Sequence, residues 1–153
     1  MILTCFVALA CASAPLSGRV VGVSDGDTIT VLAEGRRPVR VRLAEIDTPE
    51  SRQPWGKRAK QALSHKVFDQ QVVVEVLDVD RYGRSVGRVR LGKRDINREM
   101  VSEGHAWVYR DYLRDRSLLD VEAEAREARR GLWSLGESDR LEPWLWRRRH
   151  KRR

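Results

Sequence analysis

Val20-Val21-Gly22-Val23-Ser24-Asp25-Gly26-Asp27-Thr28-Ile29-Thr30-Val31-Leu32 decides the fold of this chain. Two β-branched runs flank an Asp-Gly step, the composition of a strand, a turn and a second strand. Glu34-Gly35 ends the second run, and Val39, Val41 and Leu43 then alternate with Arg40 and Arg42 at a period of two. Val72, Val73, Val74, Val76 and Leu77 form a fourth run, and Val86, Val89 and Leu91 a fifth before Gly92. Five short strands bounded by turn residues predict a small closed or partly closed barrel, mainly β with packed helices. Three segments carry helical spacing. The first runs from about Trp55 to Phe68, with Ala59, Ala62, Leu63 and Val67 on one side. The second runs from about Ile96 to Glu103, with Asp95 as N-cap and Gly104 as its stop. The third is capped by Ser117, carries Leu118, Val121, Ala125, Ala128 and Leu132, and stops at Gly131. Glu122 and Arg126 add an i,i+4 pair to it.

At 153 residues, with 41% hydrophobic and 34% charged residues, the chain has the size and composition of one globular domain. Residues 1–17 carry no charge and hold both cysteines, Cys5 and Cys11, so the body has no disulfide framework and no cysteine-ligated zinc. This apolar stretch is too short to span a bilayer, and small residues at Ala10, Ala12 and Ala14 resemble a signal-peptidase site. An export signal over 1–17, a folded domain over 18–136 and a Trp-containing basic tail over 137–153 are therefore expected. The product would be secreted or periplasmic. Of the net charge of +8, six positive charges lie in the last seven residues, which leaves only +2 for the rest. Such a run is expected as a solvated extension. It could also attract nucleic acid or an anionic surface, strengthening binding without choosing a sequence.

Asp25-Gly26-Asp27-Thr28 and Asp47-Thr48-Pro49-Glu50 are two acidic clusters, each at the end of a predicted strand, with Arg42 between them and Arg84 in a later turn. Each cluster alone reads as a turn or a helix start. Together they can meet at one barrel mouth, where carboxylates repel by about 4 kcal/mol per pair at 4 Å and an effective dielectric of 20. Such a gathering invites a cation or keeps one acid protonated. Oxygen-only ligands suit a hard ion such as calcium or magnesium, and arginine's planar fork suits phosphate oxygens. His65 and His105 lie outside both clusters and read as structural, and no serine sits in a nucleophile elbow.

Asp25-Gly26-Asp27-Thr28, Val41-Arg42-Leu43, Ile46-Asp47-Thr48-Pro49-Glu50 and Asp80-Arg81-Tyr82-Gly83-Arg84, followed by Gly104-His105-Ala106 and Ala128-Arg129-Arg130-Gly131-Leu132-Trp133, resemble the staphylococcal nuclease (thermonuclease) family in order and spacing. The resemblance covers roughly Gly18 to Trp133. It implies an α+β fold, a five-stranded OB-type β-barrel with about three helices, and a calcium-dependent phosphodiesterase acting on DNA and RNA. It implies that Asp27 and Asp47 ligate one Ca²⁺ by carboxylate and Thr48 by its backbone carbonyl. Glu50 would be the general base, Arg42 and Arg84 would grip the scissile phosphate, and Asp25 would support the site from behind. Tyr82, Tyr109 and Tyr112 become candidates for base stacking or phosphate contact, although packing against the last helix accounts for the latter two equally well. Arg81 stands where a lysine is common in the family. Cleavage would leave 3′-phosphate ends, with single-stranded or locally melted substrate preferred and a monomer expected. The competing reading is a non-catalytic OB-type module that binds single strands. A pure binder gains nothing from Asp27, Asp47 and Glu50 repelling the backbone.

Overall fold

The computed structural model describes residues 15–150, so the apolar stretch up to residue 14, with both cysteines, and the last three tail residues lie outside the described residues. The strands are β1 (Leu16–Val23), β2 (Thr28–Ala33), β3 (Arg37–Leu43), β4 (Ile46–Asp47), β5 (Gln71–Val79), β6 (Ser85–Leu91), β7 (Arg94–Asp95) and β8 (Trp107–Val108). Helices α1 (Gly56–Val67), α2 (Ile96–Ser102), α3 (Ser117–Glu127) and α4 (Pro143–His150) complete the fold. β1 pairs antiparallel with β2 and β5, β2 with β3, and β5 with β6. A parallel pairing of β3 with β6, Val41 opposite Ser85 and Leu43 opposite Gly87, closes the ring. The result is the expected five-stranded OB-type barrel. β7 pairs with the end of β6 beyond its contact with β3, and β4 with β8 forms a separate two-stranded ribbon.

Strand alternation sends Val20, Ile29, Val31, Val41, Leu43, Val72, Val74 and Val89 into the barrel, each at 1% exposure or less. Each such aliphatic side chain contributes about 1.5–3 kcal/mol on burial. α1 lays Ala59, Leu63 and Val67 on this core, and α2 adds Ile96, Met100 and Val101. Asn97 fastens α2 to the closure: its Oδ1 accepts from Val89 N, and its Nδ2 donates to the carbonyls of Ala44 and Gly87. Asp95 caps α2 as predicted, accepting from Arg98 N at 3.1 Å.

The third helix differs from its sequence reading. Asp115, not Ser117, serves its start, accepting from the Ser117 N–H at 3.0 Å and the Ser117 hydroxyl at 2.7 Å. Ser117 is the first helical residue. The helix ends at Glu127, because Arg129 takes a left-handed φ of 51°; Ala128 is exposed and Leu132 buries in a following 3-10 turn. β1 begins at Leu16, within the stretch read as an export signal over 1–17, and Leu16 packs on the core.

Gly104 and Gly131 lie back to back in left-handed conformations, φ 74° and 56°, with Leu132 N donating to Gly104 O at 2.8 Å. A Cβ on either glycine would meet the backbone of the other segment, whereas Gly35, also at φ 74°, faces open space. Gly131→Ala is therefore expected to cost about 2–4 kcal/mol, and Gly35→Ala only about 1 kcal/mol for its backbone conformation. Urea denaturation reads the difference as a midpoint shift at unchanged slope.

Candidate active site

The turn between β1 and β2 and the segment after β4 put the two acidic clusters at one end of the barrel, beside a groove of about 1060 Å³. Asp27 is buried at 5% exposure, and its position is set by hydrogen bonds rather than by a salt link alone. Its Oδ2 accepts from the Thr48 backbone N–H and the Thr48 hydroxyl, both at 2.9 Å, which joins the two clusters directly. Thr28 donates to its Oδ1 at 3.2 Å. Asp25 Oδ1 in turn accepts from Asp27 N at 3.0 Å.

Arg40 stays exposed, whereas Arg42, opposite Thr28 in the β2–β3 register, curls over the barrel end. One terminal nitrogen donates to the carbonyls of Leu43 and Ile46 at 2.8 and 2.9 Å. The other reaches Asp47 Oδ1 at 2.9 Å and lies 3.3 Å from Asp27 Oδ2. Arg42 thus bridges the two buried aspartates. Asp47, at 1% exposure, is placed by the β4–β8 ribbon, where it faces Trp107.

Charge and burial set the protonation of this cluster. Burial would raise Asp27, but the Arg42 charge and the donors of Thr48 outweigh it and hold the group below its ordinary value. Burial also raises Asp47, and its arginine partners only partly offset that effect. Asp25 is pushed up to about 6, first by burial and then by the neighbouring Asp27 charge.

Glu50, more exposed, is tied to its own loop: its N–H donates to Gln53 Oε1 and its carbonyl accepts from Gln53 N. Arg84 lines the same groove but does not join the carboxylates. Its Nε pairs with Asp80 at 2.7 Å, and Asp80 also accepts from the backbone of Tyr82 and Arg84, which shapes the β5–β6 turn. Tyr82 is 65% exposed beside Arg81 and Arg84, whose guanidinium carbons lie 5.0 and 5.5 Å from its ring centre. Tyr109 stacks on Trp144 at 5.4 Å and 4° and meets the exposed Tyr112 edge-on at 4.8 Å, so the last helix does pack on it. His105 accepts from Trp55 Nε1 at 3.0 Å, a structural role.

Arg147 was hidden in the basic run. Its guanidinium donates to Asp47 Oδ2 at 2.8 Å, Asp47 Oδ1 at 3.2 Å and Glu50 Oε1 at 2.8 Å. The start of the tail is therefore helical and seated on the acids, not solvated. Pro143 as a helix opener and Trp144 three residues before Arg147 were the available signals. Among the described residues no three acidic, histidine or cysteine side chains form a ready-made metal cage. The donor chemistry nonetheless fits a hard ion. Asp27, Asp47 and Glu50 offer only oxygen, and the positions between them hold cationic groups, Arg42 and Arg147.

Residues 40–135 match the family model described as staphylococcal nuclease homologue. The chain is 46% identical over 151 residues to Protein ParB of Escherichia coli, an overlap covering 92% of this chain and 84% of that protein. It is 46% identical over 149 residues to a micrococcal nuclease of Shigella flexneri, covering 90% and 84% respectively. A protein of Haemophilus influenzae described as an uncharacterized endonuclease is 40% identical over 142 residues, covering 93% and 79%. The barrel, the groove and these relatives together define a nuclease, a hydrolase with nucleic acid as substrate. The chain belongs to the staphylococcal nuclease family.

The raised Asp25 sets a pH test on the metal-free protein. Below about pH 4 the group is protonated both folded and unfolded, so the proton bound in the folded state contributes its full share of stability. That share is lost as pH rises through about 6. Asp25→Asn keeps an oxygen acceptor for Asp27 N and carries no charge. It is expected to stabilise the protein at pH 7 by about 1–2 kcal/mol, allowing for partial exposure, and by almost nothing near pH 4. Thermal denaturation in chelator across pH 4–7 measures the gap.

Proposed function

We propose that this nuclease hydrolyses phosphodiesters of DNA and RNA with little sequence preference, depends on calcium and leaves 3′-phosphate ends. The observation that carries the reading is the convergence of Asp27, Arg42, Asp47 and Glu50, from separate segments, on a groove that Arg84 also lines. Asp27, Asp47 and the Thr48 carbonyl would hold the ion. Held there, the ion would supply Lewis acidity to the phosphate and offset the acid cluster. Glu50, the most exposed of the three acids, takes the proton of the attacking water. Arg42, anchored by two backbone carbonyls, presents a guanidinium of fixed orientation to the phosphate. Arg84, which lines the same groove with its Nε held by Asp80, is the second guanidinium for the phosphate. Asp25 orients Asp27 through the backbone.

Tyr82 with Arg81, and Tyr109 with Tyr112, line the groove as stacking surfaces for bases. Stacking and phosphate contacts carry little sequence information, which supports a sequence-tolerant enzyme. Single-stranded or locally melted nucleic acid suits this groove, because its bases are free to stack. We further propose that the enzyme is exported and acts as a monomer. The apolar, uncharged stretch at the start of the chain supports export, and among the described residues no helix is long and apolar enough to cross a membrane.

Glu50→Gln is expected to keep calcium and oligonucleotide binding while kcat falls about 10²–10⁴-fold. Arg42→Ala is expected to lose about 10³–10⁵-fold in kcat/KM. A fluorogenic single-stranded oligonucleotide, assayed in calcium, magnesium or chelator, reads both. Full turnover in chelator would remove the ion from the mechanism. Binding without cleavage under every condition would return the protein to the class of non-catalytic binders.

A further inference from the structure

Both carboxylate oxygens of Asp47 are engaged by guanidinium groups. Arg42 and Arg147 share Oδ1, and Arg147 alone takes Oδ2 while also reaching Glu50. An ion held by Asp27, Asp47 and the Thr48 carbonyl would draw on the Asp47 oxygens that Arg147 now engages, and would bring a second cation against the guanidinium lodged between Asp47 and Glu50. We propose that α4 is an intramolecular latch: Arg147 covers the Asp47–Glu50 side of the cation seat in the free nuclease, and a divalent ion opens the groove by displacing it. This rests on the metal reading given above for Asp27 and Asp47.

The rest of α4 is built to let go. Pro143 is its only fully buried residue, and Arg148, Arg149 and His150 are exposed. Its attachments are few: Trp144 against Tyr109 and Trp107, and Gln53 Nε2 donating to Leu141 O just before the helix. An element with one buried residue and four half-buried ones opens at lower cost than a core helix. Gln53 belongs to the loop that also fixes Glu50, so the tether and the acid it covers share one support. A monovalent guanidinium closing an acid cluster stabilises the ion-free protein, which would otherwise bring like charges together. An ion carrying two charges competes for the same oxygens with stronger attraction. The nuclease therefore carries an internal competitor for its own cofactor, and its calcium requirement is set partly by the strength of this latch.

Calcium titration of the full chain by calorimetry tests the latch, paired with hydrogen exchange of residues 143–150. Arg147→Ala is expected to bind calcium about tenfold more tightly than wild type, the equivalent of one charge-assisted hydrogen bond. Arg149→Ala removes the same charge without touching the acids and is expected to match wild type. Trp144→Ala keeps Arg147 but loosens its seat, and should also bind more tightly. In wild type, calcium should strip exchange protection from residues 143–150; in Arg147→Ala these amides should exchange quickly with or without the ion. Calcium binding with equal affinity in wild type and Arg147→Ala, and with α4 still protected, overturns the latch while leaving the metal reading intact. No calcium bound by either form overturns both.

Discussion

Two buried carboxylates a few ångströms from one guanidinium are the constraint on which this end of the molecule depends. Asp27 and Asp47 are almost fully removed from water, and each would be costly alone. Arg42 makes the pair tenable, but only because its own position is locked by the carbonyls of Leu43 and Ile46. Those carbonyls belong to the chain leaving β3 and entering β4. The backbone of the barrel rim therefore decides where the arginine sits, and the arginine decides how close the acids come. Thr48 adds the second link, binding Asp27 through backbone and hydroxyl together. Rigidity of this kind favours chemistry on a phosphate, because charge is held in place before the substrate arrives.

The same economy recurs away from the groove. Glu45, buried with φ 66°, accepts from Arg88 and from the backbone of Arg114 and Asp115, fixing the segment that leads into α3. Glu122 accepts from Val108 N and pairs with Arg110 and Arg126, tying α3 to β8. β8 in turn pairs with β4, which carries Asp47. A buried charge in the third helix thus supports the placement of a charge in the site.

Much of this was legible from residues alone. The five barrel strands announce themselves through β-branched alternation and glycine stops, and the first two helices through apolar spacing. The two acidic clusters were also visible, since each interrupts a strand pattern. What escaped has physical reasons. β4 and β8 are two residues each, too short for any period to register. Asn97 and Glu45 act on backbone atoms distant in the chain, so no side-chain pattern points to them. Ser117 and Asp115 are both competent caps, and only the path of the turn selects between them. Arg147 was lost in a run of like residues, where one paired guanidinium looks the same as its solvated neighbours. Arg84 illustrates the reverse: its position in the motif brings it to the groove, while Asp80 holds it apart from the acids.

The parallel join between β3 and β6 has a kinetic consequence. Its two strands are separated in the chain by β4, α1 and β5, so the entropy of closing that long excursion must be lost before any ladder bond returns it. Hairpins β1–β2 and β2–β3 need only local encounters and can assemble early. Ring closure comes late, and α2, clasped to it by Asn97, cannot settle before it. Refolding of this domain should therefore be slow relative to an all-helical protein of similar length, with the rim of the barrel among the last parts to acquire its final form.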